Sequence, residues 1–132
     1  MSPVPFLGER PPYRLLLSCS SGGEQELRLH LRLETRVALR LPYALKAFVH
    51  VQYGELPELS VHIHGVEPAR YGQPGERPAA WEWSGSFPAG SYYGQCTLML
   101  GRQQQRLLLR FAPPRVEVVH QYGAPIAELV LP

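Results

Sequence analysis

The run Leu27-Arg28-Leu29-His30-Leu31-Arg32-Leu33 sets the tightest bound on the fold. Leucine alternates with a polar or charged residue at a period of two, and successive side chains of a strand point to opposite faces. On a helix the same leucines would be scattered around the whole circumference. The run is therefore a half-buried strand. The alternation continues through Thr35, Val37, Leu39 and Leu41 until Pro42 stops it. This predicts one long bent strand, or two joined near Glu34.

The same reading finds strands at Arg14–Cys19, Ala47–Tyr53, Leu59–His64, Ala79–Ser84, Tyr92–Leu100, Arg106–Phe111, Val116–His120 and Ile126–Leu131. Gly101-Arg102-Gln103-Gln104 reads as a hairpin connection, and Tyr43–Ala47 as the one helical turn. About nine or ten strands, roughly 8–12 residues apart, give an all-β antiparallel sandwich, immunoglobulin-like or jelly-roll-like. Residues 13–132 fit a single domain of this kind. Residues 1–12, with four prolines, form a stiff extended arm in which Val4, Phe6 and Leu7 are apolar. The irregular stretch Gly65–Pro78 reads as a crossover between the two sheets, or as a functional loop whose aromatic is Tyr71.

The chain contains no aspartate and no asparagine; all eleven acidic residues are glutamate. This excludes an aspartic dyad, an Asp-containing triad, an EF-hand loop and an Asn-linked glycan. It also removes the Asn-Gly and Asp-Gly hairpin turns. The chain must then turn on Gly, Pro and Ser, at Ser20–Gly23, Gly65–Pro78 and Pro88–Gly90. Charged residues are 18% of the sequence, below the ~25% usual for globular chains, which suggests surface buried against a partner. The net charge of +2 argues against a general nucleic-acid binder. Lys46 is the only lysine, and the arginine bias with missing Asn fits a GC-rich or heat-adapted source. Cys19 and Cys96 lack metal-type spacing and read as two separate thiols, a single inter-strand bridge being the alternative. Met1–Gly8 has no basic region and no long apolar run, so no signal peptide is expected. No apolar stretch approaches the ~20 residues of a membrane helix.

Trp81–Tyr92 followed by Cys96–Leu100 resembles bacterial and phage immunoglobulin-like sandwich domains, in which a Pro-Ala-Gly-x-Tyr segment turns the chain into a late core strand. The match covers about a fifth of the chain and implies a fold rather than a function. Gly94 stands where immunoglobulin domains carry a tyrosine two residues before the second cysteine.

Three groups of residues have candidate chemistry. His62 and His64 share a strand face about 6.5–7 Å apart and are the weak metal candidates, for zinc or copper. Val61 and Ile63 already account for the alternation without any metal, so no cofactor is assigned. Trp81 and Trp83 also share a face. They are core, or they stack on a glycan or a protein partner together with Tyr71. Arg28, Arg32, Arg36, Arg40, Arg106 and Arg110 make a stripe that meets phosphates or is balanced by Glu26, Glu34 and Glu117. No nucleophile elbow and no phosphate loop is present, so no catalytic residue is assigned.

The expectation is a non-enzymatic interaction subunit of a repetitive assembly, such as a capsid-decorating or tail protein of a phage virion. Its partner would be protein, most simply further copies of itself. Val4, Phe6, Leu7, Tyr71, Trp81 and Trp83 are the expected contact residues. A carbohydrate-binding module and a metal-binding sandwich are the alternatives.

Overall fold

The structure, a computed structural model, describes residues 11–39, 43–68 and 77–131. Val4, Phe6, Leu7, Arg40, Pro42, Tyr71 and most of the expected Gly65–Pro78 loop lie outside the described residues.

Nine strands form two sheets: β1 (Tyr13–Gly23), β2 (Glu26–Thr35), β3 (Tyr43–Gln52), β4 (Glu58–Pro68), β5 (Ala80–Pro88), β6 (Tyr92–Leu100), β7 (Gln103–Ala112), β8 (Arg115–Gly123) and β9 (Ala127–Val130). The four-stranded sheet has the order β5-β2-β1-β9 and the five-stranded sheet β3-β4-β6-β7-β8. The two sheets pack into an all-β sandwich, as the alternation predicts. Leu27, Leu29, Leu31 and Leu33 of β2 face inward with Leu15 and Leu17 of β1. They meet Leu59, Val61, Cys96, Leu98, Leu107, Leu109 and Phe111 from the other sheet in one continuous core.

Most pairings are antiparallel, but β1 with β9 and β4 with β6 are parallel. Parallel neighbours cannot be joined by a tight hairpin and need a crossover. Here β5 is that crossover: the chain leaves β4, pairs with β2 in the opposite sheet, and returns as β6 beside β4. The segment after β4 thus links the two sheets, although β4 itself runs to Pro68.

Three local expectations are corrected. Tyr43–Ala47 is strand, not a helical turn, because Tyr43, Ala44 and Leu45 pair with Pro68, Glu67 and Val66, and Leu45 is buried between the sheets. The long alternation after Leu33 ends at Thr35. The Thr35 hydroxyl donates to Val37 O and accepts from Ala79 N, turning the chain so that Val37 is exposed. Leu39 then makes only an isolated bridge to Arg77. Finally, β1 extends through Ser20–Gly23, with Gly22 as the extra residue of a bulge, and the hairpin turns on Glu24 and Gln25.

Without Asn or Asp, every positive φ among the described residues falls on glycine, at Gly65, Gly90, Gly101 and Gly123. Gly101 and Arg102 close the β6–β7 hairpin with φ +60° at the first position only, the pattern of a type II′ turn. Ala112-Pro113-Pro114-Arg115 closes β7–β8 with a cis Pro113–Pro114 bond. Tyr92 opens β6 and its hydroxyl donates to Pro88 O at 2.7 Å, pinning the Pro88–Ser91 link between the sheets. Gly94 has its own reason: a Cβ there would overlap the buried Phe111 ring. Among the described residues no helix is long and apolar enough to cross a membrane.

Candidate functional site

The two outer faces of the sandwich differ in kind. On the four-stranded sheet, the cross-strand pairs Arg28↔Ser86, His30↔Ser84 and Arg32↔Glu82 line up the polar half of the alternation. Arg32 bonds both Glu82 (2.7 Å) and Glu34 (3.2 Å). Arg28 lies near Glu26, Arg36 meets Glu128 at 3.3 Å, and His30 Nδ1 lies 2.6 Å from Ser84 Oγ. The Arg32 hydrogen bond lowers the Glu82 pKa, and Glu82 with Glu34 raises that of Arg32. The arginine stripe expected from sequence is therefore self-neutralised here. Arg110 is paired in the same way with Glu117 on the other sheet.

The outer face of the five-stranded sheet also holds ion pairs, Lys46–Glu67 and Arg110–Glu117, and adds aromatics and histidines, whereas among the described residues the exposed apolar residue of the four-stranded face is Val130 at its β9 edge. Cross-strand rows follow from the register: Phe48, His62, Met99 and Gln104 in one, then His50, Ser60, Thr97, Arg106 and Tyr122 in the next. Phe48 stacks on His62, with ring centroids 4.5 Å apart and planes 6° apart, and leans on His64 at 5.2 Å. His64 is the extra residue of a bulge opposite Lys46/Ala47, and Gly65 with φ +110° completes it. Phe48, Tyr93 and Tyr122 are 48%, 49% and 50% exposed. The three rings are spread over the face, on β3, β6 and β8.

His62 and His64 thus share a face as expected, and their nearest aromatic neighbour is Phe48 rather than a third ligand. Among the described residues, no group of three or more His, Cys or Glu is placed to hold a metal ion. Trp81 and Trp83 sit opposite Leu33 and Leu31 on the inner side of edge strand β5. Both are half-buried and packed against the core. The Trp83 ring lies over Gly85, where a Cβ would overlap it, and meets Phe87 edge-on at 6.5 Å. Cys19 and Cys96 are separate buried thiols on opposite sheets. Burial raises the pKa of both, that of Cys96 to about 12.

A third feature was not singled out in the sequence. Between the edge strands β8 and β9 lies a groove of about 690 Å³, lined by Pro11, Arg36, Gln121, Tyr122, Ala127 and Leu129 among others. Gln105 forms its floor and is 5% exposed. Its Oε1 accepts from Ile126 N (2.9 Å) and Ala127 N (2.8 Å), while Nε2 donates to Ala127 O (3.1 Å) and Gln121 Oε1 (3.3 Å). One side chain thereby clamps the start of β9. Gly123, at φ +103°, lets the chain pass close to Gln104 O on the way there. In the sequence, Gly101–Gln104 reads as the hairpin connection; Gln105 just after it shares the inward face of Leu107, Leu109 and Phe111, and β9 covers it.

No protein-family model, curated protein or solved structure matches the chain.

Proposed function

We propose that this chain is a non-enzymatic interaction subunit of a repetitive assembly, a phage virion being one such particle, and that it docks through the outer face of its five-stranded sheet. The observation that carries this is the asymmetry of the two faces. One face satisfies its charges internally through Arg28, Arg32, Arg36 and their glutamates. The other leaves Phe48, Tyr93 and Tyr122 about half exposed among histidines. A second copy covering that face would remove these rings from water. Each fully buried ring of this size contributes on the order of 1.5–3 kcal/mol, and tyrosine is enriched at interface hot spots.

The absence of aspartate supports the non-enzymatic part of this reading. Glycan stacking requires rings presented to solvent, and Trp81 and Trp83 are turned toward the core, so the contact reading is preferred. The test is sedimentation velocity on the full chain and on the Phe48→Glu, Tyr93→Glu double variant. The wild type is expected to associate with rising concentration, and the folded variant to associate less at every concentration. Identical behaviour of both proteins, monomeric or associated, would overturn the proposal.

A further inference from the structure

The groove between β8 and β9 is a site of a different kind from the sheet face. It lies where the two sheets part. Among the described residues β8 pairs only with β7, and β9 only with β1. The hairpin register fixes which backbone groups of β8 are free. Arg115 pairs across the two-residue turn with Ala112 and Glu117 with Arg110, so these bond inward. The bulge at Val119 shifts the phase, and His120 and Tyr122 then face Leu108 and Arg106. The N–H and C=O of Val118 and Gln121 are left pointing away from the sheet, Gln121 at the wall of the groove.

The described chain begins at Pro11, on the rim of this groove. The residues before it include Pro3-Val4-Pro5-Phe6-Leu7. Proline at alternate positions suits one kind of strand only: an edge strand whose proline side faces away from its partner. In that geometry the N–H groups of Val4 and Phe6 all point to one side, and their side chains share one face. Such a segment can add to an edge by main-chain bonds while two apolar side chains fill a groove. Its reach argues for a neighbour. Residues 3–7 stand four to eight positions before Pro11, about 13–27 Å along an extended chain. Entering the chain's own groove would need a reversal within Gly8–Arg10.

We infer that the β8–β9 groove is an acceptor site for residues 3–7 of a second copy of this chain, added as an extended strand along β8 with Val4 and Phe6 in the groove. This rests on the reading of the chain as an assembly subunit, and names a contact that shares only Tyr122 with the sheet face.

The test uses the full chain and a free peptide of residues 1–10. In excess, the peptide is expected to bind one per chain and to lower the average mass of the associated protein at least twofold. The same peptide carrying Phe6→Glu is expected to do neither. Full-length Leu129→Arg, altered in the groove, and full-length Phe6→Glu, altered outside the described sandwich, are both expected to lose this association. Phe6→Glu serves as the test should Leu129→Arg fail to fold. Assembly that persists in the Phe6→Glu chain and ignores the peptide overturns the inference while leaving docking through the sheet face intact. A wild-type monomer that binds no peptide, but does bind it once Phe6→Glu is introduced, shows the arm filling its own groove and overturns the second-copy assignment.

Discussion

Replacing Gln105 by methionine keeps the length of the side chain and removes all four of its hydrogen bonds. The change strands the N–H of Ala127, whose acceptor is Gln105 Oε1, and the Ala127 carbonyl loses its donor, while the Ile126 N–H keeps the Ala124 carbonyl at 2.9 Å. A buried backbone group left without a partner costs about 1–3 kcal/mol. Two stranded groups, the N–H and C=O of Ala127, would cost about 2–6 kcal/mol, and the adjoining groove admits water that recovers part of it. We therefore expect a loss of about 2–4 kcal/mol, a large share of the roughly 5–15 kcal/mol that stabilises a domain. With a urea m-value of about 1–3 kcal/mol/M, the midpoint should fall by on the order of 1–2 M at unchanged m. The loss should also be local first. Amide exchange at Ala127 should accelerate in the native state before the core of β2 responds. A destabilisation under about 0.5 kcal/mol, with exchange at the Ala127 amide unchanged, would refute the clamp.

Two further outcomes follow from the core. Gly94→Ala places a methyl group against the Phe111 ring and near Pro57 O at 3.3 Å; overpacking of this kind should cost about 1–3 kcal/mol in a denaturation experiment. The Cys96 thiol has its pKa raised from 9.0 to about 12 by burial, so the folded state holds this proton longer than the unfolded state does. Stability from the neutral thiol is complete below the unfolded value and declines as pH rises from about 9 toward 12; the wild-type urea midpoint should fall in that range more steeply than that of Cys96→Ala.

The strands were legible because period-two alternation is a local signal. Leu27–Leu33 alone defines an inner and an outer face for β2, and similar runs locate the other eight strands. Pairing was less legible because it is not local. Nothing in Ala127–Val130 announces that it lies parallel to β1, and Tyr43–Ala47 becomes strand only through its partners in β4. The contact face shows the same limit. His62 and His64 drew attention as ligands, yet Phe48, the residue that joins them, meets them only through the pairing of β3 with β4. Gln105 was hidden in a polar run, since burial of a glutamine depends on the chain crossing over it at Ile126 and Ala127, 21 and 22 residues later. Turn positions were misplaced by a few residues at Ser20–Gly23 because serine and glycine also suit a bulged strand end.

Native mass spectrometry of the full chain across a range of concentrations tests the central claim most directly. The account predicts species at multiples of the 14.9 kDa chain mass, growing with concentration and shifted toward the single chain by the Phe48→Glu, Tyr93→Glu substitutions. A single species at the chain mass at every concentration, unchanged by those substitutions, would contradict it.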